Sequence, residues 1–146
     1  MYTGLLHAHS GLRYIVIILL LAVIIQSLIG WIGRTKFSNI HKKVAIASMS
    51  LVHIQFLIGA VLFFISPKVV FDPSLFGGAI IRFFTLEHPL LMMVAIAVIT
   101  IGQIKSKSYT NYKSHKRLFW ANLIGFLLIM ASIPWPFREQ LGSGWF

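Results

Sequence analysis

Residues Tyr14 to Ile32 read YIVIILLLAVIIQSLIGWI, an apolar run with no charge between Arg13 and Arg34. About 20 mostly apolar residues in a helix cross roughly 30 Å of hydrocarbon, so this run is long enough to span a bilayer. Three more stretches have the same character. One extends from about Val44 to Ile65, uncharged between Lys43 and Lys68, and a third from about Ala79 or Phe83 to Ile104. The fourth, from about Leu118 to Ile133, stops at Pro134-Trp135-Pro136, because proline lacks the amide that a helix interior requires. Ser66, Pro67, Asp72, Pro73, Gly77 and Gly78 break the chain between the second and third runs.

Composition agrees. The 146 residues are 58% hydrophobic and 11% charged, whereas a soluble domain carries about 25% charged residues. The expected fold is all-α: one domain over residues 1–146, an integral membrane four-helix bundle running up-down-up-down on short loops. Met1 to Leu12 lacks the basic start and small-residue cleavage site of a secretory signal, so the first run is expected to be retained. There is no cysteine, which excludes disulfides, thiolate metal sites and covalent haem attachment. Any metal or haem has to be held by His or Met.

The net charge of +10 is an orientation signal, not the mark of a nucleic-acid partner. Arg34, Lys36, Lys42 and Lys43 lie between the first and second runs; Lys105, Lys107, Lys113, Lys116 and Arg117 lie between the third and fourth. These loops hold nine of the thirteen basic residues and no acid. The side richer in Lys and Arg stays in the cytoplasm, which predicts a multi-pass membrane protein with both termini outside the cytoplasm. Tyr2, Trp135 and Trp145 then fall near the outer interface, and Trp31 and Trp120 near the inner one.

Six histidines are unusual in so apolar a chain. His41 and His115 sit beside lysines at the cytoplasmic surface and read as solvated, headgroup-facing side chains; His7 reads as interfacial. His53 lies about 15 Å inside the second span, where an ionisable group is costly and normally faces the bundle interior with a partner or a function. His88, in Thr85-Leu86-Glu87-His88-Pro89, lies about 24 Å above the inner end of the third span, and Pro89 frees carbonyls in the preceding turn. The two differ in height by roughly 9 Å, which makes His53 and His88 the expected axial pair for a haem iron. His9, roughly 12 Å further out than His88, is the reserve ligand, and a His9–His88 site near the outer surface is the geometric alternative. Gly59, Ala60, Ala95 and Ala97 would leave room for a flat macrocycle. Arg13 and Arg82, in the outer half, are the candidate partners of haem propionates or lipid phosphates. Glu87 is the one acid within a span and is placed to pair with Arg13, Arg82 or an imidazole.

His7-Ala8-His9-Ser10-Gly11-Leu12-Arg13-Tyr14, His53-Ile54-Gln55 and Glu87-His88 together resemble a small four-helix membrane family of Bacteroidetes-type bacteria labelled cytochrome b-like. The likeness covers nearly the whole chain. It departs at Gln103, where relatives carry a histidine, so it implies no second, inner haem. What it implies is haem b and electron transfer within or at the outer face of the inner membrane, with a quinol or a redox protein as partner and a respiratory complex as the setting. The alternative is a haem-free accessory or assembly subunit of a larger membrane complex, with its histidines acting as polar glue between helices. A metal held jointly by His9, His53 and His88 is disfavoured by their spread of roughly 20 Å along the bundle. No Gly-rich phosphate loop, HExxH or plausible triad occurs.

Overall fold

The computed structural model describes residues 1–72, 74, 77–107 and 111–141. It is helical, with no strand among these residues. Two of the expected features, Pro73 and Trp145, lie outside the described residues.

Four long helices carry the fold. α1 is Tyr2–Ile32 and α2 is Asn39–Ile65. α3 is Ala79–Ser106, interrupted by a π-helical segment, Phe83–Glu87, directly before His88. α4 is Tyr112–Ser132. A 3-10 turn, Glu139–Leu141, follows. α1, α2 and α3 are long and apolar enough to cross a membrane. α4 spans about 31 Å, but its first two turns carry Lys113, Lys116 and Arg117, and only the remainder is apolar.

The ends follow local chemistry. α1 closes at Gly33, and Arg34 takes a left-handed backbone conformation (φ 51°) to turn the chain. Ser38 precedes α2 and donates its amide to His41 Nδ1 (3.2 Å), and the Asn111 side chain accepts from the Lys113 amide (3.0 Å) at the start of α4. α4 stops where Ile133 leads into Pro134, as the sequence predicts. α1, by contrast, starts twelve residues before the expected Tyr14: nothing in Met1 to Arg13 breaks a helix, so the helix outruns its apolar stretch and carries His9 and Arg13 with it.

α1 packs on α2 and α4, and α3 packs on α4 and, along a much thinner seam, on α2. α1 and α3 therefore face each other across the bundle. Small residues set the closest approaches. A Cβ at Gly102 would overlap that of Ala121, and one at Gly125 would overlap Ile99 and press on the Ala95 carbonyl, so α3 and α4 meet nearly backbone to backbone.

Many large apolar side chains stand on the surface, and several polar ones are buried beside the apolar core. Ser27, Ser48, Gln103, Ser106, Ser114, His115, Asn122 and Ser132 are buried, while Ile18, Ile29, Leu57, Phe64, Leu90, Ile104 and Leu127 are exposed. Exposed apolar surface of this extent marks faces that meet a membrane or another protein.

Candidate functional site

His9 and His88 converge from α1 and α3 across the bundle. Their ring centroids lie 6.3 Å apart with planes at 77°. His88 is the better held. Its Nδ1 lies 2.8 Å from the Ser132 carbonyl, an acceptor only, so Nδ1 carries the proton and donates, leaving the Nε2 lone pair available. The Ser132 hydroxyl lies 3.1 Å from the same nitrogen. Phe83, buried in the π turn, covers the His88 ring with centroids 5.9 Å apart. That turn follows from the sequence: Pro89 has no amide to return to Thr85, and the ladder shifts by one residue just ahead of His88.

His9 is seated by α2. The Gln55 side chain donates to the His9 carbonyl (2.7 Å), and Gly59 lies against the ring, where a Cβ would stand 3.0 Å from His9 Cε1. His9 Nδ1 is buried with no hydrogen-bond partner among the described residues. Arg13, one turn further along α1, is buried; it donates to the Tyr14 hydroxyl (3.0 Å) and lies over the Trp135 ring at 5.6 Å.

The expected pairing of His53 with His88 is not formed. His53 Nδ1 donates to the Met49 carbonyl (2.7 Å), and Nε2 faces the Thr100 hydroxyl at 3.3 Å. Thr100 is twelve residues along α3 from His88, about 18 Å of helix. Heights counted from the inner end of each span assume a shared boundary, and that assumption fails. His53 is fourteen residues from the start of α2, whereas Thr100 is six from the end of α3, so α2 overhangs by about 12 Å.

The remaining expectations divide. Arg82 donates to Glu87 Oε1 at 2.8 Å, one of the three partners foreseen for Glu87, on an exposed turn. Arg82, Phe83, Glu87, Phe137, Arg138 and Leu141 line a cavity of about 380 Å³ beside the π turn. Gly59 reaches the histidine pair and Ala95 is interior, but Ala97 is exposed. His41 and His115 are not both solvated. His115 is completely buried, edge-on to Phe37 and to His41 (centroids 4.7 Å), with Gly30 pressed against its ring. Ser132 and Thr100, partners of His88 and His53, were not legible as site residues, since hydroxyls at such spacing are common in any bundle.

No group of three or more His, Cys, Asp or Glu able to hold a metal occurs among the described residues; the site is a two-histidine one. The chain matches no protein-family model, no curated protein and no solved structure.

Proposed function

We propose that the chain is a four-span, up-down-up-down protein of a bacterial inner membrane that holds one b-type haem between His9 and His88. In this reading it passes electrons at the outer face, alone or as a subunit of a respiratory complex. The observation that carries the reading is the spacing of the two rings. His9 and His88 bring two imidazoles from facing helices to a centroid distance of 6.3 Å inside the bundle, and these two residues would hold the group.

The residues present fit such a group. Ser132 fixes the His88 tautomer that leaves Nε2 as a ligand, the arrangement in which a metal-binding imidazole donates its other nitrogen to a carbonyl. Gly59 keeps the ring of His9 clear of a side chain on α2. Buried Arg13 supplies a cation four residues from His9, suited to an anionic edge of the cofactor. Haem, when bound, supplies a one-electron couple tuned by its axial imidazoles and its burial. The cavity beside the π turn, with Arg138 and the Arg82–Glu87 pair at its rim, is the surface by which a quinol or redox protein would approach His88. The exposed large apolar side chains, the buried polar ones and the basic residues clustered at one end of the helices support the membrane setting and its orientation. The resemblance to the cytochrome b-like family belongs to the same reading.

A second reading, a haem-free accessory or assembly subunit, is favoured by His53, which is fully engaged between α2 and α3 as polar glue. The visible spectrum of the chain purified from haem-replete cells separates the two. A low-spin b-type spectrum is expected; a folded, colourless protein transfers the case to the accessory reading.

A further inference from the structure

The end of the bundle where α3 gives way to α4 carries a second site, unrelated to the histidine pair. Lys105 on α3 and Tyr112, Lys113, Lys116, Arg117 and Trp120 on α4 line a cavity of about 580 Å³, floored by Gly102. Four of these side chains are cationic, and no acid lines the cavity. The chain has only three acids, Asp72, Glu87 and Glu139. All belong to the segments around the start of α3 and beyond the end of α4, at the opposite ends of both helices.

We propose that this cavity binds the headgroup of an anionic phospholipid. A phosphate diester is the anion that a lipid-facing cavity meets, and cationic side chains beside the membrane surface attract it. Two features of the wall select a lipid over a free anion. Trp120, half exposed, carries the amphipathic ring typical of the headgroup level. Ile101 and Ile104, next in sequence to the lining residues Gly102 and Lys105, and Ile124, one turn beyond Trp120 on α4, are exposed and offer apolar surface on which an acyl chain can lie. The cavity is also built. Arg117 donates to the Lys105 carbonyl (2.9 Å), tying the two helix ends together, and the Lys116 ammonium rests over the Trp31 ring at 5.3 Å, which steers the cation without neutralising it.

This site rests on the membrane reading above but not on haem. The test is native mass spectrometry of the full chain in non-ionic detergent micelles doped with phosphatidylglycerol or with phosphatidylcholine of the same acyl chains. The wild type should retain the anionic lipid about tenfold more strongly. Lys113→Gln/Lys116→Gln, and separately Lys105→Gln, should reduce that preference at least severalfold, while Lys36→Gln/Lys42→Gln, which removes two charges from the same end outside the cavity, should leave it. Equal losses in the cavity and control variants would mean diffuse attraction and overturn the site. Displacement of the lipid by millimolar inorganic phosphate would overturn the lipid assignment. A colourless protein that keeps the selectivity supports the cavity and counts only against haem; a chain that stays soluble without detergent overturns the membrane reading and the lipid site together.

Discussion

His9 and His88 are separated by most of α1, all of α2 and the start of α3, yet their ring centroids lie 6.3 Å apart, the planes near perpendicular. Two imidazoles brought together inside an apolar bundle repel if both are charged and gain little from each other if neutral. An ion between them would give each ring the partner that hydrocarbon withholds. His88 is prepared for that role by a hydrogen bond on its far nitrogen, and His9 by the absence of one on its buried Nδ1.

Single replacement of either residue is accordingly expected to remove the cofactor. His9→Ala and His88→Ala should each lose the low-spin absorbance in full, because each removes one of the two residues that would hold the haem. His7→Ala and His53→Ala should retain it. Spectra normalised to protein and to folded fraction decide the matter, and colour that survives His9→Ala but not His53→Ala would reverse the assignment.

Much of this architecture is legible in the sequence, for a physical reason: long apolar runs without charges or helix breakers form helices, so four such runs and a proline stop at Pro134 define the elements. Depth along a helix is legible only relative to that helix. The overhang of α2 past α3, set by packing at the thin seam and not by hydropathy, moved His53 opposite Thr100 and left His9 to meet His88. His115 illustrates the same limit. Its lysine neighbours mark it as a surface residue, but a helix beginning at Tyr112 turns it inward onto Gly30 while Lys116 and Arg117 remain outside.

Gly59 offers a more local test. An alanine there would place its Cβ 3.0 Å from His9 Cε1, a contact the ring can relieve by a few tenths of an ångström. Gly59→Ala should therefore shift the absorbance maximum or midpoint potential while keeping the cofactor. Gly59→Leu should displace His9 and cut haem retention at least tenfold, with little change in helical content by circular dichroism. Unchanged haem affinity in the leucine variant would show that Gly59 does not gate the site.

The α3–α4 contact should be sensitive to any added bulk. Gly125→Val drives new methyls into Ile99, itself almost fully buried, and Gly102→Val does the same at Ala121. Overpacking of this kind costs about 1–3 kcal/mol. Each variant should lower the thermal midpoint in detergent, while Gly4→Val, where a Cβ meets nothing within 4 Å, should not.

Orientation is open to direct measurement. With nine basic residues between the first and second and the third and fourth apolar runs, three of them between helices and six on the adjoining helix ends, both termini are expected in the periplasm. An alkaline phosphatase fused after Phe146 should be active and a fluorescent reporter that folds only in the cytoplasm should be dark; fusions near Ser108 should give the opposite pair. Cytoplasmic fluorescence from the Phe146 fusion would invert the topology and move the histidine pair to the inner face.

The bond between His53 and Thr100 joins α2 to α3 across the thinnest of the main helix contacts, so its contribution should appear as coupling between the two residues. Hydrogen bonds between membrane helices average about 0.6 kcal/mol and reach about 1.7 kcal/mol at most, since the separated helices find other partners. His53→Leu and Thr100→Val, singly and together, form a cycle in which the double variant should be more stable than the sum of the single losses predicts, by an amount in that range. His53 keeps its bond to the Met49 carbonyl when Thr100 is changed, so Thr100→Val should be the milder of the two. Unfolding followed by circular dichroism in mixed micelles measures the cycle, and the visible spectrum recorded on the same samples separates structure from ligation. Coupling with an unchanged spectrum is the expected result. Loss of the spectrum in His53→Leu with no coupling to Thr100 would mean that His53 ligates iron after all.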